Sequence, residues 1–227
     1  IDARADEIAA LAHLETALAL EPRLRSVELP RTTDQLRQAA AAARERSWCH
    51  ATLDVKNNIR SMYGPLGGGV VVFGPNNFPL AFNSVSGGDA AAALAAGNPI
   101  IAKANTGHPG ATKLLTEAAF DAVQTTGMPA ATVQLLYRTS HETGARLVAH
   151  PLIGATGFTG SRSAGLQLKA AADEAGKPIY LEMSSINPVF VLPGALDERL
   201  DEVATELYGS CSLGAGQFCT KPGLVVV

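Results

Sequence analysis

The 227-residue sequence is short of cysteine, of aromatic residues and of excess charge of either sign. Its three cysteines, Cys49, Cys211 and Cys219, form neither an even set nor a CxxC pair. That excludes a disulfide framework, makes a reducing compartment the expected one, and leaves no metal expected. A net charge of −3 gives no basic face for nucleic acid or for an anionic membrane surface. No apolar run reaches the roughly 18 residues of a membrane span. The start carries no basic-then-apolar signal segment. A cytoplasmic location is therefore expected, with no nucleic acid and no membrane among its partners. Aromatics make up 5% and hydrophobic residues 47%. With abundant alanine and glycine, that suits helices packed closely on a sheet, in one large domain or two small ones. Repeats and low-complexity segments are absent.

Both ends read as cut from a longer protein. The chain opens inside an amphipathic pattern, with Ile8, Leu11, Leu14 and Leu18 at helical spacing. It closes on Leu224-Val225-Val226-Val227, which reads as a buried strand. Thr32 with Gln35 fits a capping box opening a second helix, continued by Leu36, Ala39, Ala40 and Ala43. Residues 51–63 alternate loosely around Asn57-Asn58, a hairpin turn signal. The stretch 51–66 is a candidate oligomerisation hairpin, and a homo-oligomer is expected.

Beyond it, strands and helices alternate. Strands are expected at Val70–Phe73, Ile100–Lys103, Val133–Tyr137, Ile153–Phe158, Ile179–Glu182 and Val189–Leu192. Helices are expected at Ala81–Ala96, Ala111–Thr126, His141–His150 and Arg162–Ala175. Such alternation with short connections predicts an α/β fold, doubly wound around a mainly parallel sheet. Residues 1–184 read as a Rossmann-like cofactor domain and 185–227 as the beginning of a second domain. Ligands on such sheets bind where strand C-termini meet helix N-termini, so the chemistry belongs in the loops after strands.

Five features occupy those places. Asn77, between Phe73-Gly74-Pro75 and Phe78-Pro79, offers a neutral amide donor to an oxyanion; Asn76-Asn77 also suit a plain turn. Lys103 follows a buried strand and is placed for a phosphate or sugar hydroxyl, or simply for solvent. Gly160-Ser161-Arg162-Ser163-Ala164-Gly165 leads into a helix and offers backbone N–H groups to a phosphate. It is neither GxGxxG nor GxxxxGK[ST]. Glu182 ends an apolar run, where partial burial would raise its pKa towards that of a useful base. Cys219 sits in the turn Gly214-Ala215-Gly216-Gln217-Phe218-Cys219, among small and polar residues, whereas Cys49 and Cys211 suit inert packing. A thiolate that attacks an electrophilic carbon and a base that activates water are the elements of thioester chemistry.

The wording and order of these segments resemble the aldehyde dehydrogenase superfamily over nearly the whole chain. Asn77-Phe78-Pro79, Ala93-Leu94-Ala95-Ala96-Gly97-Asn98, Phe158-Thr159-Gly160-Ser161, Asn187-Pro188-Val189 and Gly216-Gln217-Phe218-Cys219 carry the resemblance. Gly87-Gly88-Asp89, Gly107-His108-Pro109 and Asn187 to Pro193 are most similar to one branch. It holds bacterial NADP-linked aliphatic aldehyde dehydrogenases and 2-ketoglutaric semialdehyde dehydrogenases. The resemblance implies that Cys219 attacks an aldehyde and that Asn77 with the Cys219 N–H holds the oxyanion. It implies further that Glu182 activates the water releasing the acid, and that 185–227 begins the catalytic domain.

Relatives that prefer NAD commonly carry Lys-Pro-Ser-Glu after the second strand; here the words are Lys103-Ala104-Asn105-Thr106. Loss of that carboxylate removes repulsion against a 2′-phosphate, so NADP is the expected cofactor, with NAD as the second choice. Lys103, Thr106 and Arg138 are its expected phosphate contacts, and Gly160, Ser161 and Gly165 complete the cofactor set. The common Glu-Leu-Gly-Gly is Glu182-Met183-Ser184-Ser185 here. Later family elements, including a glutamate for the nicotinamide ribose, are not in the sequence, so little activity is expected of these 227 residues alone. The alternatives are a cofactor-binding piece without catalysis and a CoA-acylating relative, the latter opposed by Glu182. A cysteine hydrolase is opposed by the lack of a histidine patterned with Cys219.

Overall fold

The computed structural model describes all residues, Ile1–Val227. Helix α1 (Ala5–Thr16) and helix α2 (Leu29–Glu45) are joined by a helical segment, Leu20–Glu28. The buried face of α1 is Ile8, Ala9 and Ala12, while Leu14 is 78% exposed and Leu18 lies beyond the helix. Of the expected stripe, Ile8 and Leu18 are buried, Leu11 is partly buried against the same core and only Leu14 turns outward. The small Ala9 and Ala12 lie in the core that α1 shares with α4 (Pro109–Thr125). Leu24, Leu29 and Leu80 complete this core. Full burial of Ile8, Leu24 and Leu80 contributes about 1.5–3 kcal/mol each.

The capping box is not formed. Helix α2 starts at Leu29 with Pro30 in its first turn, and Thr32 Oγ1 donates back to the Glu28 carbonyl at 2.8 Å. Gln35 instead reaches across space, donating to the carbonyls of Ala81 and Ser86 at 2.8 and 2.9 Å. The tertiary partners outcompete the local cap. Strands β1 (Thr52–Asp54) and β2 (Ile59–Ser61) form the hairpin around Asn57-Asn58, with Asn58 at φ 52° and Asp54 accepting from Asn57.

A five-stranded sheet then organises the chain: β3 (Gly69–Phe73), β4 (Ile100–Lys103), β5 (Val133–Leu136), β6 (Ile153–Gly160) and β7 (Ile179–Met183). Their spatial order is β5-β4-β3-β6-β7, and β3 pairs in parallel with both β4 and β6, as does β4 with β5. The chain therefore moves outward from β3 to β5 and returns beside β3 with β6. The reversal opens a crevice beyond the C-terminal end of β3. Val70, Val72, Ile100, Ala102, Val133 and Ala155 share one face of the sheet. They pack with Ala90 and Ala93 of α3 (Gly88–Ala95) and Val123 of α4 (Pro109–Thr125). Helices α5 (His141–Ala149) and α6 (Arg162–Glu174) pack on each other and on β6.

Helix α3 starts at Gly88, not at Ala81. Asn83, Ser84 and Ser86 are buried in the preceding turns. The Asn83 amide donates to the Pro79 carbonyl at 2.8 Å, and Ser86 Oγ donates to that of Leu80 at 3.1 Å. Short polar side chains take over backbone partners and hold residues 79–87 out of a helix. Gly74 and Gly87 allow this fold-back. A Cβ on Gly74 would lie 2.7 Å from the Phe82 carbonyl oxygen, and one on Gly87 would lie 2.5 Å from that of Asn83.

The chain divides into two compact units, Ile1–Glu182 and Met183–Val227. In the second, β8 (Pro188–Phe190) pairs in parallel with β9 (Leu224–Val226), with α7 (Pro193–Ser212) between them in sequence. Helix α7 kinks at Arg199 and was not expected from the sequence. No helix is long and apolar enough to cross a membrane.

Candidate active site

The loop after β3 carries Asn77, half-buried, between the exposed Asn76 and the ring of Phe78. Its backbone is gripped from several directions. Arg23 Nη2 donates to the Asn77 carbonyl at 3.0 Å, and its guanidinium carbon lies 4.3 Å from the centre of the Phe78 ring. The fully buried Glu28 accepts from the Leu80 and Ala81 N–H groups at 2.8 and 2.9 Å through one oxygen, and from Arg23 through the other. The β4–α4 loop is stitched to the same segment. Asn105 donates to the Gly74 carbonyl at 3.0 Å, and the buried His108 ring bonds the Pro75 carbonyl at 2.8 Å. The amide of Asn77 is thus presented on a backbone with little freedom.

A cleft of about 1180 Å³ lies at the C-terminal ends of β3, β4, β5 and β6. Lys103, Thr106 and Arg138 converge on it, with Ser140, Phe158 and Gln167. Burial, and then the neighbouring positive charge of Arg138, hold the Lys103 pKa below the ordinary lysine value. Neither cation is held in an ion pair within the chain. Two cations of like sign sharing a cleft fit a dianionic group, which relieves their mutual repulsion.

The Gly160–Gly165 turn sits differently from expectation. Ser161 caps α6, accepting from the Ala164 N–H at 3.4 Å, and the Gly165 N–H donates to the Ser161 carbonyl at 3.0 Å. Gly165 is buried, and its amide is spent inside the helix, so it is not open to a phosphate. Of this turn's helix, Ala164, Gln167 and Leu168 line the cleft, whereas Gly160, Ser161 and Gly165 do not. A Cβ on Gly160 would meet the Phe158 ring at 2.8 Å.

Glu182 is exposed, not partly buried. Strand β7 is the edge of the sheet, and its alternation turns Tyr180 and Glu182 outward. Across from it, the Asp89 carboxylate lies over Gly157, where a Cβ would stand 2.7 Å from its Oδ2. Desolvation, and then the charge of Glu182, raise the Asp89 pKa.

In the second unit the cysteine turn is wound left-handed at three successive residues, Gly214, Ala215 and Gly216, with φ of 59°, 56° and 70°. The turn ends at Cys219, a free and exposed thiol. The Asn187 amide donates to the carbonyls of Cys219 and Lys221, at 2.7 and 3.2 Å.

Residues 1–227 match the aldehyde dehydrogenase family. The chain belongs to this family. It is 46% identical to alpha-ketoglutaric semialdehyde dehydrogenase 2 of Azospirillum brasilense, across 100% of this chain and 46% of that protein. It is 42% identical to alpha-ketoglutaric semialdehyde dehydrogenase of Acinetobacter baylyi, across 88% of this chain and 39% of that protein. The crystal structure of an aldehyde dehydrogenase from Brucella melitensis is similar with a TM-score of 0.80 at 27% identity, over 98% of this chain and 44% of that one. This aldehyde dehydrogenase chain thus spans less than half the length of the relatives it matches.

Within the aldehyde dehydrogenase fold, several residues around the site carried no local sequence signal. Arg23 and Glu28 lie more than fifty positions from the loop they hold. Gln35 had a signal, but one that pointed to a cap. Asn187 could have been singled out: an Asn before Pro, here at φ 46°, marks a turn whose side chain is free to bond backbone nearby.

Proposed function

We propose that the protein carrying this chain oxidises an aldehyde to a carboxylic acid with NADP as the preferred cofactor. The observation that carries the reading is Cys219, an exposed free thiol at the end of a left-handed turn whose backbone carbonyl is held by Asn187. Its thiolate attacks the aldehyde carbon to form a thiohemiacetal. The Asn77 amide and the Cys219 N–H stabilise the oxyanion. When bound, NADP supplies the hydride acceptor that turns the thiohemiacetal into a thioester. Glu182 takes a proton from water, which attacks the thioester and frees the acid. Exposure on an edge strand suits a base that must admit water. The order of events needs both thiol and base, so a CoA-acylating route is the weaker reading.

Lys103, Arg138 and Thr106 favour the 2′-phosphate over a bare ribose. The two cations offer it charge-assisted bonds, and Thr106 leaves no carboxylate to repel it. Among aldehydes, alpha-ketoglutaric semialdehyde is the first candidate, because both curated relatives bear that name. The test is a panel of aldehydes on the whole protein with NADP and NAD, alongside Cys219→Ala. We expect aldehyde-dependent NADPH formation that vanishes in C219A, and a Cys219 thiol protected from alkylation by aldehyde. Turnover surviving in C219A, or a preference for NAD, overturns the corresponding half of the proposal.

A further inference from the structure

Residues far from the thiol in sequence fix the backbone on which Asn77 stands. Glu28 has no exposure of its side chain, and Arg23 only 12%. A buried ion pair is seldom retained for stability alone, since apolar residues of similar volume often do as well. Here both partners also bond to one short stretch, residues 77–81. Arg23 takes the Asn77 carbonyl and covers the Phe78 ring; Glu28 takes the N–H groups of Leu80 and Ala81. Gln35 then holds the Ala81 carbonyl, and Asn83 that of Pro79. The carbonyl and side chain of Asn77 hang from adjoining atoms, so fixing the one restricts where the other can reach.

We infer that Arg23 and Glu28 are positioning residues for the oxyanion donor, a role that rests on the reading of Asn77 given above. Arg23 is the direct element, because it bonds to the Asn77 backbone itself. Glu28 orients the guanidinium and pins the far side of the loop. A donor displaced by about 1 Å loses on the order of a hundredfold in rate. Arg23 acts on the chemical step and not on cofactor capture, since neither Arg23 nor any of residues 77–81 lines the cleft.

The whole protein is tested as Arg23→Ala, Arg23→Lys, Asn77→Ala and the double variant R23A/N77A. We expect R23A to lower kcat about 10- to 100-fold with NADP affinity unchanged. Lysine, with a point charge in place of the fork, is expected to restore part of the loss. The double variant should be no slower than N77A within about twofold, because Arg23 acts through Asn77. Amide exchange across residues 77–86 should quicken about tenfold or more in R23A, as expected for one lost charge-assisted bond. Losses in R23A and N77A that multiply, or unchanged exchange in the loop, overturn the positioning role while leaving Asn77 as donor. A normal kcat in N77A overturns the oxyanion reading instead. A fall in melting temperature with kcat intact in R23A reduces the pair to a structural device.

Discussion

The side chain of Asn187 donates to the carbonyl oxygen of Cys219 at 2.7 Å, across 32 positions of sequence. Asn187 itself sits at φ 46°, a conformation glycine adopts without strain. Asn187→Gly therefore removes the amide and keeps the backbone. We expect kcat to fall about 10- to 100-fold through misplacement of the thiol. Asn187→Asp aims an acceptor at two carbonyls and should be worse. Binding of NADP, measured by fluorescence titration, should be unaltered in both.

Removal of Glu28 tests the buried pair as a source of stability. Glu28→Ala leaves the Arg23 guanidinium buried without its partner and strips the acceptor from two backbone N–H groups. The expected cost is about 3–5 kcal/mol, read from denaturant unfolding. Replacing Arg23 and Glu28 together by apolar residues of matching volume removes the unpaired charge but still leaves the Leu80 and Ala81 N–H groups without an acceptor. It should therefore restore only part of the stability and none of the activity.

Cofactor choice is predicted to turn on position 106. Thr106→Glu restores a carboxylate beside Lys103. Two charges about 4 Å apart repel by on the order of 4 kcal/mol at an effective dielectric near 20. Thr106 is exposed, and solvent screening weakens this. We expect NADP affinity to fall about 10- to 100-fold, roughly 1.4–2.7 kcal/mol, while NAD affinity holds or improves. Isothermal titration with both cofactors decides it, and equal losses for the two count against a 2′-phosphate contact at this place.

The depressed Lys103 pKa carries a pH signature. A 2′-phosphate binds the protonated amine best, so NADP affinity is complete below that pKa and declines as pH rises through it. NAD lacks the phosphate and should show no such decline, and Lys103→Arg should abolish it. The ligand-free fold behaves oppositely. Its Lys103 sheds its proton before the unfolded chain does, so stability rises with pH between the two pKa values. Binding curves and melting temperatures measured at stepped alkaline pH test both signs.

How far the sequence leads depends on the range of the forces involved. Strands β3 and β4 were legible because their inner residues form short apolar runs, Val70–Phe73 and Ile100–Ala102, buried or half-buried in the sheet. The starts of α5 at His141 and α6 at Arg162 were legible because the local pattern alone decides them. The 81–87 segment was misjudged for the same local reason. Its composition suits a helix, but Asn83, Ser86 and the distant Glu28 and Gln35 claim its backbone groups. The burial of Glu182 was misjudged because position within a sheet is set by strand order, and β7 is an edge. Lys103, Thr106 and Arg138 could be gathered from sequence because parallel topology brings successive strand ends together. The Arg23 and Glu28 contacts could not, since no local periodicity encodes them.

The first forty-five residues precede the sheet, contribute no strand to it, and resemble an accessory layer that a protein engineer would trim. Their contacts forbid that. A core excised from β3 onward would retain its strands and its cleft with Lys103 and Arg138, yet the turn bearing Asn77 would lose its guanidinium, its carboxylate and its glutamine at once. On the proposed function, the unit that binds a dinucleotide and the unit that does chemistry on an aldehyde have different boundaries, and any transplant of this site must take the leading helices along.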